Sequence, residues 1–130
     1  EMDTDLGLTG TLNTVSGTPY DFRTSRAIGT TELDVGLPLR NEESDIVLAG
    51  RRYQLHVQPG GAFHAVQLFV PPRRAAIAVE PITAPGESFN LPDLGVTRLV
   101  PGDALDAWVV LRLEATAEHE GEELRYDPTG

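Results

Sequence analysis

Glu80 closes the apolar run Ala75-Ala76-Ile77-Ala78-Val79 and opens the segment Glu80-Pro81-Ile82-Thr83-Ala84-Pro85-Gly86-Glu87-Ser88-Phe89-Asn90. A carboxylate in that setting is placed like a catalytic base, held on rigid backbone beside a loop. Side chains alternate faces along a strand, so Glu80 shares a side with Ala78 and Ala76, two small residues that leave room for a ligand; Ile77 and Val79 point the other way, into a core. Pro81 biases Glu80 away from helical backbone and cannot donate a ladder hydrogen bond, so the strand is expected to end near the carboxylate. General bases work best when partly buried, where desolvation favours proton uptake.

Gln67, in Val66-Gln67-Leu68-Phe69, is the second candidate. Alternation sets it on one face with Phe69, while Val66, Leu68 and Val70 occupy the other. An amide donates and accepts, and an aromatic ring covers apolar C–H faces, a combination suited to a sugar. On composition alone a surface glutamine on a half-exposed strand is an equal reading, just as a strand-end glutamate can be a solvent-facing terminus.

The elements that must hold these residues read as short strands. Apolar alternation places them near Gly10–Ser16, Asp45–Ala49, Tyr53–Gln58, Ala65–Val70, Ala75–Glu80, Val96–Val100 and Ala107–Ala115. Ala49-Gly50-Arg51 is short enough to join a hairpin. Pro59-Gly60-Gly61 and Pro71-Pro72-Arg73-Arg74 read as turns, the second too short to hold a helix, so its flanking strands are expected to be antiparallel. Ten prolines and thirteen glycines punctuate β-branched stretches, and no long amphipathic helix emerges. The fold class expected is an all-β antiparallel sandwich.

At 130 residues and 40% hydrophobic content the chain can build one domain with a core. A formal charge of −10 argues against nucleic acid and anionic membrane as partners, which require clustered cations, and is neutral toward an uncharged ligand. No apolar run approaches a membrane span. The absence of cysteine excludes disulfides and thiol chemistry. It leaves the compartment open, with a cytoplasmic location favoured.

Several motifs then come together. The run from Val79 to Asn90, followed by Leu91-Pro92-Asp93-Leu94-Gly95-Val96 and Leu99-Val100-Pro101-Gly102-Asp103, closely resembles the C-terminal signature of the aldose 1-epimerase (galactose mutarotase) family. Val15-Ser16-Gly17-Thr18-Pro19-Tyr20-Asp21-Phe22-Arg23 is similar to the same family's approach to its sugar site. The resemblance runs from Thr9 to Leu113, and motifs in the right order make it specific. It implies a supersandwich of roughly twice this length, a usual domain size. Residues 1–115 would be its C-terminal part, and residues 116–130, with Glu118, Glu120, Glu122, Glu123 and Asp127, an acidic flexible tail. Glu1 is not an initiator methionine, and the opening residues resemble mid-protein family sequence, so the chain is expected to be incomplete. Some strands would then pair with strands not in this sequence and leave open edges.

The activity implied is interconversion of the α- and β-anomers of a free aldose such as glucose or galactose. A base takes the proton of the C1 hydroxyl while an acid protonates the ring oxygen, the ring opens, C1–C2 rotates, and the roles reverse on closure. By the resemblance Glu80 would be the base, and Gln67 and Asp34 would bind sugar hydroxyls. Asp34 stands where the family has an Asp-His pair, but Val35 follows it here. The family's general acid is an upstream histidine, assisted by a second histidine and an arginine; none of His56, His64 and His119 matches those motifs. His56 alternates with Gln54 and Gln58 on a polar face, His64 precedes a strand and His119 lies in the acidic tail, so all three read as surface residues. No metal site and no cofactor are expected. The chain alone is expected to be inactive unless completed, for example by an upstream N-terminal half of the same protein.

Thr83, Phe89 and Asn90 read as loop-shaping, Tyr20 to Arg23 match a motif without an assigned role, and Trp108 reads as a core or interface residue. Two other classes stay open. One is a non-catalytic carbohydrate-binding β-sandwich module; the other is an assembly domain whose exposed strand edge binds a partner chain.

Overall fold

The computed structural model describes residues 2–3, 7–8, 13–39, 44–86, 88–91 and 95–116. Among them the regular elements are all strands: β1 (Met2–Asp3), β2 (Gly7–Leu8), β3 (Asp34–Pro38), β4 (Ile46–Ala49), β5 (Tyr53–Gly61), β6 (Ala65–Phe69), β7 (Ala78–Ile82) and β8 (Ala107–Ala115). β1 and β2 form a two-residue ladder, and the rest divide into two antiparallel sheets ordered β3-β6-β7 and β4-β5-β8. The protein is an all-β antiparallel sandwich, as the pattern of short punctuated strands predicts.

Alternation builds the core. In the first sheet Val35 and Val79 flank Leu68, and Leu37 and Pro81 flank Val66, so one face is continuously apolar. Val66 and Leu68 are buried, as is Leu33 just before β3, whose carbonyl accepts a hydrogen bond from Val70. In the second sheet Ile46 and Leu111 flank Val57, while Leu48 and Leu113 flank Leu55. Val57 and Pro59 are the buried residues of that face. The hairpin at Gly50 closes with its N–H donating to the Tyr53 carbonyl. The Pro71–Arg74 turn closes likewise, Arg74 N–H to Pro71 carbonyl, and β6 and β7 are antiparallel as expected. Arg74 has a left-handed φ of 52°, and its guanidinium donates to the carbonyls of Gly29 and Thr31, bonds that offset the strain.

Four expectations need correction. Pro59-Gly60-Gly61 is not a turn but the last third of β5. β4 pairs only as far as Val57, so beyond it β5 has β8 as its single neighbour, and a proline can face outward with its missing donor. Gly61, at φ 66°, has no space for a Cβ, which would lie 2.5 Å from the Asp106 carbonyl oxygen. Second, the strand carrying Glu80 does not stop there: it starts at Ala78 and runs through Pro81 to Ile82. β7 is an edge strand, where proline is tolerated.

Third, Val96–Val100 is not a strand. Asp103 accepts the Val100 N–H through its side chain and donates its own N–H to the Val100 carbonyl, turning the chain. Fourth, no strand forms over Asn13–Ser16, because the Thr18 hydroxyl and N–H both bond the Val15 carbonyl and the Thr14 hydroxyl accepts the Ser16 N–H; residues 10–12 lie outside the described set. The expected tail falls outside it too, apart from Thr116, whose N–H and hydroxyl bond the carbonyls of Arg52 and Arg51. No helix among the described residues is long and apolar enough to cross a membrane.

Candidate functional site

The sheet β3-β6-β7 brings Asp34, Gln67 and Glu80 onto one face. Its register sets Gln67 directly between Gly36 on one neighbour and Glu80 on the other, and Asp34 opposite Phe69. Asp34 is therefore diagonal to Gln67, and the Gln67 amide Nε2 donates to Asp34 Oδ1 at 2.6 Å. Gln67 and Glu80 are a direct cross-strand pair, a geometry that spaces Cβ atoms by about 5 Å. The opposite face carries the apolar residues Val66 and Leu68, whose burial fixes which way the polar set points.

Gly36 makes this arrangement possible. A Cβ at that position would sit 3.2 Å from Gln67 Oε1, so the glycine leaves the amide its place beside Asp34. Phe69 and Ala78 continue the face at the Asp34 end, the ring 38% exposed and the alanine small. The chemistry on offer is hydrogen bonding to hydroxyls: Asp34 accepts, the Gln67 amide has a second proton and an oxygen for a ligand, and Glu80 presents a carboxylate in mid-strand. Glu80 is exposed to solvent. None of the three strands carries a histidine.

Beyond Ile82 the chain loops back to form a cleft of about 340 Å³ lined by Thr83, Pro85, Ser88, Phe89, Val96 and Leu105, among others. Ser88 is buried and its hydroxyl donates to the Pro85 carbonyl, so Ser88 pins the loop. Phe89, expected to shape it, instead turns its ring 95% into solvent.

The Tyr20–Arg23 motif has a local structure. Arg23 donates from Nε and Nη2 to the two carboxylate oxygens of Asp21 at 2.8 and 2.7 Å. These hydrogen bonds hold the Asp21 carboxyl well below the usual carboxylate range. Arg26 lies over the Phe22 ring, 4.9 Å from its centroid.

His56 corrects the expectation of a surface residue. It is buried, with Nδ1 2.8 Å from Asp45 Oδ2 and Nε2 3.4 Å from Glu114 Oε2. The hairpin register carried the signal, since pairing Val47 with His56 sets Asp45 one diagonal step away. The cluster lies on the other sheet from Glu80. His64 is exposed ahead of β6, and His119 lies outside the described residues. Trp108 is not a core residue: its ring covers Gly60, where a side chain would collide with it, and it remains 51% exposed. Among the described residues no cluster of histidines and carboxylates could hold a metal ion.

An all-β sandwich with a polar face carrying Asp34, Gln67 and Glu80 is what the fold and the site define. No protein-family model, curated protein or solved structure matches the chain.

Proposed function

We propose that this chain is an aldose 1-epimerase-like protein that binds a free aldose, such as glucose or galactose, on the face of β3-β6-β7, with Glu80 as the base of anomer interconversion. One observation carries the reading. Asp34, Gln67 and Glu80, separated by 33 and 13 positions in sequence, meet on adjacent strands of a single face, with the Gln67–Asp34 hydrogen bond already made. That pair orients two sugar hydroxyls while Glu80 takes the proton of the C1 hydroxyl. The acid that protonates the ring oxygen lies outside the described residues, and an upstream N-terminal half of the same protein is its expected source. No cofactor is needed.

The test is optical rotation of freshly dissolved α-glucose and α-galactose, with the polypeptide that supplies the acid. Decay to the equilibrium value should be faster than in buffer and return to the buffer rate in Glu80→Gln. An unchanged rate in that variant removes Glu80 as the base.

The exposure of Glu80 favours a second reading, a non-catalytic carbohydrate-binding module. It predicts that sugar binding survives Glu80→Gln while no preparation accelerates mutarotation.

A further inference from the structure

β8 is built unlike an edge strand, although it is one. Natural edges are kept short or are blunted by proline, lysine or a bulge. β8 has nine residues in unbroken register with β5, contains no proline, and no described strand pairs with its outer side. Val109, Leu111 and Leu113 project from one face and Trp108 and Val110 from the other, all at least 39% exposed and Leu111 66%. The two charges, Arg112 and Glu114, already pair with each other. The edge therefore presents a full row of backbone donors and acceptors flanked by apolar side chains.

We propose that a second copy of this chain occupies that edge, β8 against β8 across a two-fold axis, joining the two β4-β5-β8 sheets into one of six strands. A two-fold normal to the sheet pairs residues on the same face, and the sequence selects among its registers. Centred on Leu111, it sets Leu111 against itself, Val109 against Leu113, Trp108 against Glu114, Val110 against Arg112 and Asp106 against Thr116. Every charge then faces an uncharged residue. Centred on Val110, Asp106 would face Glu114; centred on Arg112, the guanidinium would face its own copy. Like charges directly opposed destabilise a ladder, and a centre at Val109 would leave residues 112–115 without partners in β8, so the Leu111 register, which pairs all nine residues, is the one this strand favours. The interface lies on the sheet that does not carry the sugar face, so it stands or falls separately from the proposed activity.

The chain has no cysteine, so single-cysteine variants report the register directly. Light scattering across a concentration series should give the mass of two chains. Mild oxidation should link Leu111→Cys, whose copies lie directly opposite at about 5 Å between Cα atoms. Val110→Cys and Arg112→Cys should stay unlinked, because their copies would be diagonal and more than about 7 Å apart. A one-chain mass at all concentrations overturns the proposal. So does linking at position 110 or 112 in preference to 111. In the monomeric case, hydrogen exchange of the β8 amides would tell a bare edge from one covered by a strand of another polypeptide.

Discussion

The two sheets of the sandwich each set an apolar face against a polar one, and they use the polar face differently. In β3-β6-β7 the outward face is polar and organised: Gln67 is seated beside Gly36, bonded to Asp34 and paired with Glu80. In β4-β5-β8 the face opposite the core buries His56 against Asp45 and Glu114, and the β8 edge is largely apolar. A preorganised set of hydrogen-bonding groups on an open face suits a small polar ligand. An apolar nine-residue edge suits another strand. On the two proposals, recognition of a small molecule and association with a second copy fall on different sheets of one small domain, and each can be broken without the other.

The largest expected effect is on chemistry. Loss of a general base typically costs about a hundred- to ten-thousand-fold in rate, so Glu80→Gln should remove any acceleration of mutarotation in a completed protein. The same substitution should leave urea unfolding within about 0.5 kcal/mol of the parent, because Glu80 is exposed. A variant that instead unfolded would make Glu80 part of the scaffold and erase the contrast between the sheets.

Next comes the core. Leu68, 7% exposed behind the polar face of β3-β6-β7, should lose about 2–5 kcal/mol of stability as Leu68→Ala, measured by urea unfolding. Leu111→Ala on β8 removes the same atoms from a residue 66% exposed. At concentrations where the chain is monomeric it should cost within about 0.5 kcal/mol. Equal losses would mean that β8 is covered even in the single chain.

These comparisons also show what was legible in the sequence and what was not. Alternation put Glu80 on a face with Ala78 and Gln67 with Phe69, and β8 occupies Ala107–Ala115 as its pattern predicts. Alternation is local, and it cannot say which strand lies beside which. The meeting of Asp34, Gln67 and Glu80 depends on β3, a strand hidden because Gly36 and Pro38 dilute its pattern and only pairing with β6 makes it extended. Pro59 misled for the same reason: its tolerance in β5 follows from where β4 stops. His56 looked solvated among glutamines, and its burial comes with partners just ahead of β4, at Asp45, and on β8, at Glu114.

A smaller effect separates Asp45 from Asp34, each hydrogen-bonded to a strand residue. Asp45→Ala leaves the buried His56 without its 2.8 Å partner, and an unsatisfied buried group costs about 1–3 kcal/mol. Asp34→Ala removes an acceptor on an exposed face, should change stability by less than about 1 kcal/mol, and should weaken sugar binding. Titration calorimetry with glucose or galactose beside urea unfolding would tell the two apart. If Asp34→Ala were the more damaging to stability, the polar face would be structural.

The smallest effect is at Asp21, outside both sheets, where the Arg23 guanidinium holds the carboxyl below its ordinary range. A depressed carboxylate contributes stability that is fully present above its unfolded pKa and is lost as pH falls through its lower, folded value. The loss therefore belongs to the strongly acidic range, and near neutrality the pair adds a constant. Both groups are open to solvent, so screening leaves little to measure in unfolding at neutral pH. The titration itself is measurable. In Arg23→Met, the pKa read from the pH titration of the Asp21 carboxyl resonance should rise toward the ordinary carboxylate range while the unfolding midpoint at pH 7 stays put. A large shift of that midpoint would mean that the Asp21–Arg23 pair anchors the loop before β3, and through it the strand that carries Asp34.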